Sequence, residues 1–222
     1  MLKAIKFVFT VNSVFMLIMC SSGNIKFPDN TGSEPPAVSV YISSSVNPGY
    51  ECSSSLLGIS PCYSCRENIE NVYRGINAAV FINDAFEKRK HELQSKMKFE
   101  NTVTELKNRK SINVTEQPGV LKVLNEVNTP YLLEIDLSEW GFVFFKGRPC
   151  IETRFKAALY DVSSGKTFWE FKRKRMYFYD RNVKIQNVDE QNTVYMMRKI
   201  SESIINEIFE DINSSEDEND NK

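Results

Sequence analysis

Hydrophobic and polar positions alternate or recur along the chain in a way that separates a core-forming region from its two ends. Lys3 and Lys6 precede a run from Phe7 to Met19 in which only Thr10, Asn12 and Ser13 are polar. This is the positive n-region and apolar h-region of a secretory signal. The run is about a dozen residues, short of the roughly 20 that span a bilayer, and no later stretch of the sequence approaches that length. Residues 21–36 then carry Gly, Ser, Asn, Asp and three prolines with little apolar content, the composition of a flexible tether. As a coil it spans on the order of 20 Å.

From Val38 the pattern becomes structural. Val38-Ser39-Val40-Tyr41-Ile42 alternates β-favouring and polar residues between prolines and a Ser/Asn/Pro/Gly segment, which predicts a first strand, followed by a loop over 47–61. Ile69, Val72, Tyr73, Ile76 and Val80 recur at three and four residues with Glu67, Glu70 and Arg74 opposite them, which predicts an amphipathic helix from Arg66. Residues 81–86 fit a short strand or more helix, and the charged stretch 88–110 is placed as helix followed by loop. Val120, Leu121, Leu124 and Val127 predict a short helix opened by Pro118.

The clearest strands follow. Leu133, Ile135 and Leu137 share one side of 131–140, with Glu134 and Asp136 on the other. Ile151, Thr153, Phe155, Ala157 and Leu159 share one side of 151–162, with Glu152, Arg154 and Lys156 opposite. Both predict half-buried antiparallel strands. Ser163-Ser164-Gly165-Lys166 turns into a further strand over 167–177, forming a hairpin. Met197, Ile200, Ile204, Ile208, Phe209 and Ile212 mark one stripe of a closing helix. The order predicts an α+β fold, an antiparallel or mixed sheet with helices packed on one face. Residues 1–19 are then the signal peptide, 20–36 the tether, 37–212 a single domain, and 213–222 an acidic tail without apolar residues that is expected to be disordered.

Leu17-Ile18-Met19-Cys20 followed by Ser21-Ser22-Gly23 resembles the lipobox of bacterial lipoproteins, whose cysteine receives acyl chains of the palmitate type. Met19 stands where that pattern has a small residue, so ordinary signal cleavage after Gly23 stays open as the alternative. Further along, Pro130-Tyr131-Leu132-Leu133-Glu134-Ile135, Ala157 to Val162, Ser164 to Glu170 and the closing helix resemble a group of bacterial envelope lipoproteins. The group includes curli-secretion-type lipoproteins, TolB amino-terminal-like domains and auxiliary lipoproteins of transport systems. The resemblance implies a small α/β domain with an assembly or accessory role, anchored in the cell envelope on the periplasmic or surface face, and carries over no catalytic residue.

Net charge is −1, so no global field draws the chain to nucleic acid. Apart from Cys20, the cysteines are Cys52, Cys62, Cys65 and Cys150. An even number in an exported chain predicts disulfides, with connectivity open. A bridge from Cys52 to Cys62 or Cys65 would close a loop of about ten residues and contribute roughly 2–3 kcal/mol. The alternative for Cys62-Tyr63-Ser64-Cys65 is a thiol-disulfide oxidoreductase pair at a helix amino terminus. His91 is the only histidine, which argues against a histidine triad or a histidine-rich metal site. No phosphate loop, dinucleotide fingerprint or nucleophile elbow occurs, and neither metal nor cofactor is implied. Lys172, Arg173, Lys174 and Arg175 form the one basic patch. On a strand, two of the four point to each face, and charge on an edge strand deters edge-to-edge pairing. The functional expectation is a non-enzymatic envelope lipoprotein that meets the membrane through its anchor and binds an envelope protein partner. A secreted soluble effector is the other alternative.

Overall fold

Strands of period two supply the frame. In the computed structural model of the protein, which describes residues 25, 27, 34–52, 64–107 and 119–214, these are β1 (Ala37–Ser45), β2 (Gly49–Cys52), β3 (Lys98–Lys107), β4 (Tyr131–Phe145), β5 (Arg148–Asp161) and β6 (Thr167–Phe178). They form one sheet in the order β3-β1-β4-β5-β6, and β2 pairs with β4 beyond the end of β1. β1 runs parallel to β3 and β4, whereas β4, β5 and β6 form an antiparallel meander. The sheet is therefore mixed and the fold α+β. A parallel neighbour needs a crossover, and between β1 and β3 it contains α1 (Arg66–Arg74) and α2 (Ala78–Arg89).

One face of the sheet is the core. Val38, Val40 and Ile42 of β1, Leu133 and Ile135 of β4, and Phe155, Ala157 and Leu159 of β5 lie against Ile69, Ile82 and Phe86 of the first two helices. The closing helix α4 (Glu190–Ser214) adds Met197, Ile200, Ile204, Ile208 and Phe209. Each of the larger fully buried side chains contributes about 1.5–3 kcal/mol. α3 (Gly119–Leu124) is the exception to helices on one face. Its Val123 and Leu124 pack on the opposite side with Tyr41, Leu132, Ala158 and Tyr160.

The alternation in β4 is interrupted once. Asp136 faces Lys156 while Glu139 faces Arg154, so β4 holds one extra residue there. Such a bulge shifts the side-chain phase. Odd-numbered Leu133, Ile135 and Leu137 and then even-numbered Trp140 and Phe142 consequently all reach the core. The hairpin turn after β5 forms as expected. Asp161 accepts from the Ser163 hydroxyl (2.6 Å) and the Ser164 amide (2.8 Å), and Gly165 takes a positive φ of 66°.

Several expectations are corrected. Of the two alternatives for residues 81–86 the helix is the one that forms, because Asn77 caps α2 by accepting from the Val80 amide (3.4 Å). The stretch 98–107, expected as helix and loop, is the edge strand β3. It is exposed along nearly its whole length, with Val103 at 45% and Leu106 at 41%, so no buried face left a period in the sequence. The loop expected over 47–61 contains β2. Within the stretch assigned to a flexible tether, Ile25 and Phe27 pack against the core, Phe27 at 4.8 Å from the Tyr131 ring and 5.5 Å from that of Phe168. The closing helix runs to Ser214, two residues into the stretch assigned to the acidic tail; the signal segment, Cys20, Cys62 and residues 215–222 lie outside the described residues.

Candidate functional site

A corner of the sheet, where β2 lies along the distal half of β4, has the geometry of a binding site. Gly49 pairs with Gly141, and the two backbones approach so closely that a Cβ on Gly141 would collide with the Gly49 main chain. Two glycines side by side remove the side chains that would otherwise fill this part of the outer face, and a cavity of about 390 Å3 opens there. Glu51, Glu139 and Glu152 stand around it, with Ser45, Asn47 and Val143. Two of the carboxylates are paired, Glu139 with Arg154 (3.3 Å) and Glu152 with Lys174 (2.9 Å). On the core side of β2, a second cavity of about 390 Å3 lies between the strand and α1, bordered by Tyr50, Arg66, Glu70, Tyr73 and Arg74. β2 is thus a four-residue ribbon with a concavity on each face.

The ribbon is held firmly. Tyr50 stacks on Phe142 (5.4 Å between centroids, 17° between planes) beneath the Arg66 guanidinium at 5.4 Å. The Trp140 indole donates to the Ser45 carbonyl (2.9 Å), fixing the turn into β2. Behind α1, a chain of buried hydroxyls joins Tyr73 to Tyr179 (2.9 Å) and Tyr179 to Thr193 (3.0 Å), tying α1 to α4. Burial pushes the Tyr73 and Tyr179 phenols up. These contacts hold hydroxyls protonated at any neutral pH and position no nucleophile beside a base.

The rest of the outer face is a polar network. Glu134 is only 4% exposed, between Lys156 (3.2 Å) and Lys107 (3.7 Å). Tyr160 donates to Glu134 (2.8 Å) and accepts from Lys156 (2.9 Å). Ser43 donates to Asp136 (2.7 Å), and the Tyr41 hydroxyl donates to Glu105. Burial opposes the charge on Lys156, but the Tyr160 hydroxyl and Glu134 carboxylate outweigh it and raise the ammonium. The Tyr160 phenol is pushed up by burial and by Glu134, and Tyr41 by burial and its bond to Glu105.

The residues singled out in the sequence do not converge. Cys65 and Cys150 are free thiols rather than bridge partners. Cys150 is buried in β5, its thiol donating to the Val143 carbonyl (3.1 Å), and burial pushes it up to about 11. Cys65 stands at the amino-terminal end of α1 and makes no side-chain cap. Cys52 stands at the end of β2. The basic patch divides across β6. Lys172 pairs with Glu170 (2.8 Å) and Lys174 with Glu152 on the outer side. On the core side, Arg175 grips Glu207 of α4 (2.9 Å) and Arg173 lies 4.6 Å over Phe171. No concentrated basic surface results. Among the described residues, no three His, Cys, Asp or Glu side chains converge to hold a metal, and no helix is long and apolar enough to cross a membrane.

The β2 corner was missed because 47–61 has no period. Its signal was there in Pro48-Gly49 and Trp140-Gly141, since a glycine inside a strand pattern marks close backbone approach. No family model matches the chain, and no curated protein matches it. Solved structures superpose loosely. A protein from Xanthomonas campestris gives a TM-score of 0.40 at 9% identity, covering 79% of this chain and 86% of that one. The lipoprotein GNA1162 from Neisseria meningitidis gives 0.31 at 14% identity, covering 79% and 99%. The C-terminal domain of LpoB from Salmonella enterica gives 0.23 at 11% identity, covering 66% and 86%. These likenesses are too distant to assign a role.

Proposed function

We propose that the protein is an exported, membrane-tethered component of the cell envelope that binds a protein partner and performs no chemistry of its own. The observation that carries the binding role is the glycine-floored cavity beside β2. A shallow concavity bordered by main chain and by carboxylates held in ion pairs suits an extended polypeptide segment, and no reactive side chain faces it. Export is supported by Lys3, Lys6 and the apolar run to Met19, and tethering by Cys20 within its lipobox-like context. The oxidoreductase alternative draws less support. It needs a paired, activated Cys62 and Cys65, while β2 ends at Cys52, well before that motif.

A photo-cross-linking residue at position 139, on the exposed rim, tests the binding role in native membranes. A discrete cross-linked protein is expected, and it should disappear when Gly49→Val, whose Cβ meets nothing closer than the Trp140 carbonyl at 3.8 Å, fills the floor, while the same probe at the exposed position 195 captures nothing comparable. Equal capture at both positions would sink the reading. Intact mass of the mature chain, with an acylated Cys20 as the expected result, tests the tether.

A further inference from the structure

The docked residues Ile25 and Phe27 alter what a lipid on Cys20 would do. Phe27 sits against Tyr131, the first residue of β4, and Phe168, the second residue of β6. Tyr131 pairs with Asp161, the last residue of β5, and with Val38 near the start of β1. The docking point is therefore one end of the sheet, next to the hairpin turn that carries Gly165 and Lys166. The Lys146-Gly147 turn between β4 and β5 closes the opposite end, and a 15-residue strand separates the two by roughly 45 Å.

Chain length then decides the geometry. A tether free from Cys20 to Pro36 would reach about 55 Å at full extension, enough for the domain to tumble in any orientation. With Ile25 docked, five residues remain, reaching about 18 Å. We propose that Ile25 and Phe27 form a strap that holds the domain upright on the bilayer. The Lys166 turn then faces the lipid headgroups, and the β2 cavity, in the distal half of β4, points away from the membrane. The partner consequently approaches from the solvent side of the envelope and not along the membrane surface. This rests on the tethered reading above.

The test uses the mature protein as recovered from native membranes, mixed with phosphatidylethanolamine/phosphatidylglycerol vesicles containing a lipid with a nitroxide headgroup. A fluorescent amino acid is placed at position 166 or at position 146, both exposed turn positions. Quenching several-fold stronger at 166 is expected. Phe27→Ser, at the periphery of the core, should leave the fold intact by circular dichroism and bring the ratio close to one. Equal quenching at both positions in the parent protein, or an unchanged ratio in Phe27→Ser, would overturn the strap while the protein still floats with the vesicles. Failure to float would instead overturn the tethered reading, and the strap with it.

Discussion

Both faces of the sheet bury residues of its central strands, yet they do so for different reasons. Leu133 and Glu134 are neighbours on β4 with exposures of 0% and 4%. Leu133 is covered by helices that gain from removing apolar surface from water. Glu134 is enclosed by Lys107, Lys156 and Tyr160, and its burial is tolerated only because each of its oxygens has a cationic or hydroxyl partner. One face is held by area, the other by completeness of pairing. A substitution on the first face should cost in proportion to volume, and on the second in proportion to what it leaves unpaired.

The largest expected effect is on the apolar face. Phe155 is 1% exposed and packs near Phe171 at 6.0 Å between ring centroids. Phe155→Ala should cost about 3–5 kcal/mol, read as a lower midpoint in urea unfolding. A loss below about 1 kcal/mol would mean that this face is loosely packed. Glu134→Ala comes next, at about 2 kcal/mol. A fully buried pair would lose more, but Lys156 and Lys107 keep side-chain exposures of 27% and 29% and can turn to water. Replacing Glu134, Lys156 and Tyr160 together with Leu, Met and Phe, which leaves no hydroxyl unpaired, should recover most of that loss. A triple variant as unstable as the single one would show that shape, and not pairing, governs the outer face.

Much of this contrast was legible from spacing. Leu133, Ile135 and Leu137, or Ile151 to Leu159, repeat every second residue because one side of each strand meets helices, and the stripe on α4 repeats because one side of that helix meets the sheet. Where burial is absent or two-sided, the signal fails. β3 is exposed on both sides, so its strand character comes from pairing with β1 alone. The outer face looked like a solvated one because charged residues do not announce their partners, and Lys107 reaches Asp136 across 29 positions of sequence. The β2 corner depends on Gly49 meeting Gly141, a contact with no local trace beyond two glycines. Phe27 looked like part of a tether because its partners, Tyr131 and Phe168, are more than a hundred residues away in sequence.

The smallest effect separates the faces by pH. Tyr41, Tyr160 and Lys156 on the outer face all hold their protons more tightly folded than unfolded. A group whose folded value is raised gives stability that is fully present below its unfolded value, about 10 for tyrosine and 10.4 for lysine, and that is lost as pH rises. Above about pH 10 the unfolded chain therefore binds fewer protons than the folded one, and stability should fall by up to ~1.4 kcal/mol per pH unit for each such group. Tyr73 and Tyr179 on the core side and Cys150 add to the same slope, so the total does not discriminate, but differences between variants do. Tyr160→Phe removes one titrating group and the hydrogen bond that helps to raise Lys156, and its alkaline slope should be shallower than the parent's between about pH 10 and 11. Phe155→Ala removes none, and its unfolding curves from pH 8 to 11 should run parallel to the parent's at a constant offset. Parallel curves for Tyr160→Phe as well would mean that the outer-face network is open to water, and that pairing does not set the stability of that face.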